Sequence, residues 1–364
     1  MLMLGNDLVI NENDCNQSCE YCLTGQSNLK REHEQQLIFQ TPKRDTYAKD
    51  SPLAIRLNTI VERTQRRFRT PFLKISGGEV FLVKNILDFV ELMTERHEVV
   101  VLQTNAMLLV EEHVERLSKL KNLVVQVSLD SHLHPGNSYR IQDARLHAKA
   151  IAKIERLLST SLNVEIYAVL TDRNVEGLVD FAQWLMQFDS KPVLFPFPAR
   201  GPEAVQYAVR ADQIGAIERF IDEAEPYWSV LPPRAYLVRL IEFMRAGERR
   251  FRCHLPRIVF STFGDGILTA CPNIWFNDMG NVAGEEWAAC LEKVGQGGIY
   301  PALLGAPPRL EACKRCFTPW DLLSMYFDSD VSLDEICATP SYRSQAIREL
   351  LIAKKREYLG QEHE

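Results

Sequence analysis

The chain of 364 residues has no apolar run as long as the roughly 20 residues that a membrane-spanning helix needs. Residues 1–14 lack a basic leader, a long apolar stretch and a small-residue cleavage site, so the sequence predicts no signal peptide. A net charge of −6 argues against a general affinity for nucleic acid, which needs a net basic surface. These absences favour a cytoplasmic protein without membrane or nucleic-acid partners.

Cysteine is missing from the middle of the chain, between Cys22 and Cys253. Stable disulfides are disfavoured in a reducing compartment, and an odd total of nine cysteines cannot pair completely. Two metal-site groups at opposite ends of the sequence explain this clustering better than scattered core thiols do. The cysteines occupy positions 15, 19 and 22, and then 253, 271, 290, 313, 316 and 337.

Short β-branched or apolar runs alternate with helical patterns through the first two-thirds of the chain. Such alternation builds a parallel sheet with right-handed crossovers. Because six units are fewer than the eight of a closed barrel, the predicted fold class is α/β, a partial (β/α)6 TIM-like barrel. The predicted strands are 8–10, 72–75, 99–102, 123–127, 164–169 and 192–195, and the predicted helices are 53–68, 84–96, 109–119, 142–159 and 174–187.

The pattern changes after the sixth predicted strand, where two further helices are predicted near 210–225 and 234–247. The part that follows has short segments with glycines and aromatic residues and no regular alternation, which predicts a small cysteine-rich α+β domain. The predicted division is a barrel core over 1–205, a helical connection over 206–249, the small domain over 250–327 and a C-terminal helical segment over 328–364, with a helix near 341–357.

Cys15, Cys19 and Cys22 follow the first predicted strand directly. Active sites of such barrels lie on the loops at the carboxyl ends of the strands. Zinc normally takes four ligands, and no nearby His or Cys supplies the fourth. Three thiolates instead suit a four-iron cluster with one iron open to another ligand. By spacing alone, an incomplete zinc knuckle or three unrelated thiols remain alternatives.

Cys253 and Cys271 flank a stretch that predicts a β-hairpin around the Gly-Asp-Gly of residues 264–266. A hairpin would bring these two thiols near its base. Cys313 and Cys316, with two residues between them, form a pair of the kind that binds one metal or cluster. Spacing alone leaves a tetrathiolate zinc site and an iron–sulfur cluster open.

The first group, with Tyr21 directly before its third cysteine, resembles the signature of the radical S-adenosylmethionine (SAM) superfamily. The resemblance implies a 4Fe-4S cluster whose open iron binds SAM, reductive cleavage to a 5′-deoxyadenosyl radical, and abstraction of a substrate hydrogen. In such enzymes the cofactor carries the difficult chemistry, while the protein binds and orients it. An electron donor such as flavodoxin or ferredoxin is also implied.

Motifs after the next three predicted strands are similar to SAM-binding motifs of the same superfamily. Gly77, Gly78 and Glu79 resemble the GGE motif that meets the SAM amino group. Ser128 and Arg140 resemble a pair that holds the SAM carboxylate, for which a guanidinium is suited. The cofactor-binding residues implied by the resemblance are Tyr21, Gly77, Gly78, Glu79, Thr104, Asn105, Ser128, Asp130 and Arg140.

The second group resembles the opening of the SPASM and twitch auxiliary domains, in which Gly266 and the dipeptide at 280–281 fit the pattern. A full SPASM domain continues with further cysteines, but Leu322 stands where the next one would fall. The shorter twitch type therefore fits better. It implies a second, auxiliary 4Fe-4S cluster on Cys253, Cys271, Cys313 and Cys316, with Cys290 as a possible replacement for one ligand.

The function implied is a radical SAM oxidoreductase of natural product biosynthesis that oxidises or rearranges a small molecule, such as a sugar or an aminocyclitol. The predicted barrel begins within the first ten residues, so no leader-binding domain is expected, which favours a small substrate over a peptide. A ribosomal peptide maturase (thioether, carbon–carbon or epimerised product) is the alternative. A non-catalytic iron–sulfur or zinc protein is the alternative from another class.

Two cysteines and two histidines stand outside these assignments. Cys290 and Cys337 fit small buried apolar residues, and the sharper hypothesis is that one donates a hydrogen atom to a substrate radical. His132 and His134 follow Asp130 and are interpreted as loop residues near the cofactor rather than proton shuttles. No catalytic residue beyond these hypotheses is predicted.

Overall fold

An eight-stranded sheet forms the centre of the computed structural model, which describes residues 2–11, 14–22, 45–275, 278–306 and 309–361. The strand order is β6-β5-β4-β3-β2-β1-β7-β8. Strands β1 to β6 are parallel neighbours in sequence order, which confirms the predicted partial barrel. The strands are β1 (Gly5–Val9), β2 (Phe72–Ser76), β3 (Val99–Thr104), β4 (Leu123–Ser128), β5 (Asn163–Leu170), β6 (Val193–Pro198), β7 (Val259–Phe263) and β8 (Leu268–Thr269).

Helices follow the strands close to the predicted positions. None in the described part of the chain is both long and apolar enough to cross a membrane. The α-helices are α1 (Pro52–Phe68), α2 (Ile86–Thr94), α3 (Glu111–Leu117), α4 (His134–Asn137), α5 (Ala144–Leu158), α6 (Leu178–Met186), α7 (Ile214–Glu223), α8 (Arg234–Ala246), α9 (Trp287–Glu292), α10 (Tyr300–Leu303), α11 (Glu311–Lys314), α12 (Asp321–Phe327), α13 (Leu333–Ala338) and α14 (Gln345–Gln361). Short 3-10 helices of one or two turns cover Val80–Leu82, Val175–Gly177, Pro202–Tyr207, Ala211–Gln213, Glu225–Val230, Leu255–Arg257 and Pro340–Tyr342.

Local sequence explains where these elements begin and which face they bury. Helix α1 begins with Pro52, and the Ser51 side chain accepts a hydrogen bond from the Ala54 N–H, as expected of an N-cap. Helix α2 buries Ile86, Phe89, Val90 and Met93 on one face against the sheet. Strands β2 and β3 are buried almost throughout, as parallel strands with helices packed against them are.

The barrel sheet continues across the predicted boundary at residue 250. Strand β7 pairs in parallel with β1, and the Asn6 side-chain amide donates to Thr262 Oγ1 at 2.8 Å. Without β7, the edge of β1 would expose unpaired backbone groups, and all five residues of β7 are buried in this pairing. Strand β7, which the sequence analysis predicted only as one arm of a hairpin, therefore joins the C-terminal segment to the barrel as a seventh parallel strand.

The hairpin predicted between Cys253 and Cys271 is confirmed. Strands β7 and β8 are antiparallel, and the turn between them spans residues 264–266. Gly266 has a φ of +98°, where a side chain would be strained. The Gly266 N–H donates to the Phe263 carbonyl at 2.8 Å and closes the turn.

Candidate active site

One cavity opens at the carboxyl ends of the barrel strands and the loops that follow them. Alternate residues of a strand point to the same face, so strands β1, β2 and β5 each supply two residues to its wall. The cavity also receives side chains from the loops after β3, β4 and β6 and from the C-terminal part of the chain. The strand residues are Asp7, Val9, Lys74, Ser76, Tyr167 and Val169.

The thiols of Cys15, Cys19 and Cys22 lie on the loop after β1 and all line this cavity. Cys15 is exposed and the other two are half-buried. Burial raises the pKa of the Cys19 thiol to about 12, while the Arg140 guanidinium opposes the increase. A thiolate here therefore needs a positive partner, and three thiols around one cavity fit a cluster that keeps one iron open.

Gly77 and Gly78 line the cavity and hold the loop after β2 tightly against the cysteine loop. A Cβ at Gly78 would lie 2.2 Å from the Asp14 carbonyl oxygen, and one at Gly77 would lie 2.1 Å from Asn11 Oδ1. The Gly78 N–H donates to the Asn11 carbonyl at 2.9 Å. Close contact between two backbone segments is thus one reason for these glycines, besides the ligand approach that the resemblance implies.

Glu79 is buried, and its side chain does not line the cavity. Its carboxylate accepts hydrogen bonds from Thr104 Oγ1 at 2.8 Å and from the Asn105 N–H at 2.7 Å. Burial raises the pKa of this carboxyl, and these hydrogen bonds oppose the increase. Glu79 therefore positions Thr104 and Asn105, both of which line the cavity, and its predicted contact with the SAM amino group stays a prediction.

Asp130 organises the opposite wall without lining the cavity. Its carboxylate pairs with Arg140 Nη2 at 2.9 Å, and it accepts from the Val169 N–H at 3.0 Å and from the Tyr21 hydroxyl. Arg140 Nη1 lies 4.0 Å from Cys19 Sγ. The ion pair therefore fixes a buried guanidinium beside the thiols, with Tyr21 and Arg140 in the cavity wall.

Ser128 ends β4 and also lines the cavity. His132 and His134 do not line it. The His132 ring stacks on Trp184 at 5.3 Å between centroids, and His134 Nε2 lies 3.0 Å from the Gln142 carbonyl oxygen. Both histidines are thus engaged outside the cavity, and His134 is the first residue of α4 rather than a loop residue.

The four distal cysteines meet in a second cavity. Burial raises the pKa of the Cys253 thiol to about 11 and that of Cys313 to about 12, and it also raises the pKa of Cys271. Cys316 completes the set. Four thiols lining one cavity fit a fully ligated cluster, in which each thiolate binds a different iron. In the described ranges, no three His, Cys, Asp or Glu side chains are arranged to hold a single metal ion.

The two cavities share a wall formed by Asn273, Thr318 and Trp320. Cys290 and Cys337 line neither cavity. Cys290 lies against Gly280, where an added Cβ would come within 2.3 Å of its sulfur, and its Sγ lies 3.8 Å from the Asn281 carbonyl oxygen. The hypothesis that one of these two cysteines donates a hydrogen atom stays a prediction, with both thiols outside the cavity walls.

The sequence analysis missed charged and aromatic residues that line the first cavity. Lys74 and Asp7 lie side by side on β2 and β1, where a strand buried by helices is normally apolar. In the sequence, the signal that could have revealed these residues was a lysine within the buried run of β2. The other missed charged and aromatic residues are Tyr167, Phe197, Arg200, Trp275 and Trp320, and the missed amides are Gln103 and Asn273.

The profile of the Radical SAM superfamily matches residues 13–185, which include the three proximal cysteines and every cofactor-binding residue named above. Residues 13–185 are a radical SAM domain. A comparison with curated proteins gives no match.

Solved structures share the fold well beyond the radical SAM domain. Streptococcus suis SuiB is 14% identical with a TM-score of 0.59, over 83% of this chain and 67% of SuiB. Histidine-tagged anSMEcpe with bound AdoMet is 13% identical with a TM-score of 0.59, over 93% of this chain and 99% of that chain. At these identities the likeness concerns the fold alone, which includes the C-terminal part of the chain.

The Asp130–Arg140 pair yields a test of the radical SAM domain. Replacing Asp130 by Asn removes the charge that holds Arg140, so we expect the Kd for SAM to rise by about tenfold or more, the usual effect of losing a charged hydrogen bond. Equilibrium dialysis of reconstituted protein measures this change.

The matched control is Asp212→Asn, because Asp212 pairs with Arg210 in an exposed ion pair and does not line the cavity. It should bind SAM as the wild type does. An Asp130→Asn variant with wild-type affinity would show that this ion pair has no part in SAM binding.

Proposed function

We propose that this chain is a radical SAM oxidoreductase with two clusters that oxidises a small polar molecule. The observation that carries the proposal is the shared wall: Asn273, Thr318 and Trp320 separate the proximal cavity from a second cavity lined by four thiols. Electrons cross short distances through protein, so such adjacency suits an enzyme that removes two electrons from its substrate.

The proximal cysteines would hold a 4Fe-4S cluster, which with bound SAM supplies a 5′-deoxyadenosyl radical. The chain's own residues then bind and orient SAM. Arg140 would meet the SAM carboxylate, together with Ser128 at the end of β4. Asp130 keeps Arg140 in place through a buried ion pair, so its geometry exists before the ligand binds.

The distal thiols would hold an auxiliary 4Fe-4S cluster, which when bound supplies an acceptor for one electron. Full ligation by protein favours electron transfer over direct contact with substrate. An external donor of the flavodoxin or ferredoxin type would supply the reducing electron to the proximal site.

Lys74 lines the first cavity and indicates which chemical group the substrate carries. Lys74 is only 6% exposed, and within the described part of the chain it has neither a hydrogen bond nor an ion pair. Its Nζ lies 5.5 Å from the Tyr167 ring centre and 5.6 Å from that of Trp320. Burial lowers the pKa of Lys74, while Asp7 and Glu165 oppose the decrease. Lys74 lines the cavity, and its ammonium has no hydrogen-bond acceptor in the described part of the chain, so we assign an oxygen of the substrate as that acceptor.

The second candidate is modification of a peptide side chain inserted into the same cavity. SuiB has been solved with its precursor peptide SuiA, and anSMEcpe with AdoMet and the Kp18Cys peptide. The fold that this chain shares with them is therefore compatible with a peptide substrate. The non-catalytic alternative predicts no cleavage of SAM.

The primary test is anaerobic reconstitution followed by metal analysis and reaction with SAM. We expect about eight irons per chain, as two four-iron clusters require, and formation of 5′-deoxyadenosine after reduction with dithionite. The Cys15→Ala/Cys19→Ala/Cys22→Ala variant should form no 5′-deoxyadenosine. Absence of 5′-deoxyadenosine from the wild type would leave the non-catalytic alternative, and about four irons with stoichiometric zinc would contradict the distal cluster.

Substitution of one distal cysteine distinguishes the role of the distal thiols from that of the proximal thiols. Cys271→Ala should lower the iron content to about four, because one cluster loses a buried ligand, while 5′-deoxyadenosine formation persists. Iron analysis and quantification of 5′-deoxyadenosine measure both effects. Cys290→Ala is the matched control, and it should keep the wild-type iron content. Loss of a cluster in the Cys290 variant would instead identify Cys290 as a ligand.

The substrate class can be tested by stimulation of 5′-deoxyadenosine formation with a protein-free cell extract. We expect stimulation that survives protease treatment of the extract. In Lys74→Met the half-saturating amount of extract should rise about tenfold or more, as expected for loss of a charged hydrogen bond, with unchanged formation in its absence.

The exposed Lys84 provides the control variant Lys84→Met, which should respond as the wild type does. Stimulation abolished by protease would favour the peptide candidate. An unchanged response of Lys74→Met would contradict the role of Lys74 as a substrate anchor.

A further inference from the structure

Arg249 lies on the segment between α8 and β7, and its side chain is 2% exposed. It lines the distal cavity together with the four thiols. Its backbone N–H donates to the Lys314 carbonyl at 2.6 Å, and its Nε donates to the Cys316 carbonyl at 2.8 Å. Arg249 thus holds the segment that carries Cys313 and Cys316.

The remaining guanidinium nitrogens have different surroundings. Nη2 donates to both carboxylate oxygens of Asp321 at 2.7 Å, and the Thr318 N–H donates to the same carboxylate at 2.9 Å. The Phe251 ring lies 4.4 Å from the centre of the guanidinium. Nη1 is buried and has no hydrogen-bond partner among the described residues.

An unpaired guanidinium N–H in the interior is costly, because the group stays charged and has lost its water. The other contacts of Arg249 are made with the Cys313–Cys316 segment, the Asp321 carboxylate and the Phe251 ring. Because Arg249 lines the cavity with the four thiols, this cavity is where an acceptor for Nη1 is expected. A cluster with four thiolates offers anionic sulfur there.

We propose that Arg249 donates a hydrogen bond from Nη1 to a sulfur atom of the distal cluster and thereby raises its reduction potential. The proposal rests on the distal cluster of the proposed function. Reduction adds negative charge, and a nearby cation with a hydrogen bond to sulfur stabilises the more negative state. Arg249 is in this sense a positioning and tuning residue for electron transfer.

The hydrogen bond can be measured without changing any residue of the distal site. In the Cys15→Ala/Cys19→Ala/Cys22→Ala background only the distal cluster remains, so its paramagnetic reduced state gives an unmixed signal. With 15N-labelled arginine, we expect a 15N hyperfine coupling to the cluster that disappears in Arg249→Lys. Absence of this coupling in the Arg249-containing protein would overturn the proposal.

The potential provides the second readout, from redox titrations monitored by electron paramagnetic resonance. Arg249→Gln combined with Asp321→Asn removes both buried charges and leaves two amides that can pair. Measured against Asp321→Asn alone, which accounts for the lost carboxylate, we expect the ratio of reduced to oxidised cluster at a fixed potential to fall about tenfold, a shift of 59 mV to more negative potential for one electron. An unchanged potential would reduce Arg249 to a structural role and overturn the proposal.

Arg250→Gln is the matched control, because the Arg250 side chain is 73% exposed and its charge is screened by water. It should leave the potential unchanged, and an equal shift there would overturn the specific role of Arg249. A background protein that binds no iron would instead contradict the distal cluster, so the two failures are distinguishable. If the Gln/Asn variant loses its cluster, the 15N coupling decides.

Discussion

The buried ion pair between Asp130 and Arg140 connects the parts of the proximal site. Through Asp130, the loop after β4 is linked to Tyr21 on the cysteine loop and to the backbone of Val169 on β5. Arg140 in turn lies beside Cys19. Breaking a buried pair leaves an uncompensated charge, which is far more destabilising than losing a pair at the surface. The arrangement of three strand ends around the thiols therefore depends on this contact.

A second buried carboxylate performs the same task on the other side. Glu79 joins the loops after β2 and β3, and the Asn105 side chain donates to Asn16 on the cysteine loop at 2.8 Å. Both acids thus lie behind the cavity wall, and the Thr104, Asn105 and Arg140 side chains that they position are neutral or cationic. Pre-formed geometry of this kind lowers the entropy cost of binding a ligand.

The pairing of β7 with β1 joins the C-terminal part of the chain to the N-terminal barrel. Cys253 precedes β7 and Cys271 follows β8, so the hairpin carries both thiols to the side of the barrel. Trp320 then packs between the two cavities, with its ring near Lys74 and Phe72. Cavities that share a wall in this way make the distal thiols part of the same site rather than of a remote module.

The sequence by itself determined the strand–helix alternation, because burial periodicity is local, and it determined the order of the motifs at successive strand ends. The Cys15, Cys19 and Cys22 spacing and the hairpin before Cys271 were likewise readable from neighbouring residues. Only the tertiary structure decided that β7 extends the sheet, that Glu79 and Asp130 act from behind the wall, and that Lys74 and Arg249 point into cavities. Each of these depends on partners far away in the chain, and the direction of a side chain toward such partners leaves no local pattern.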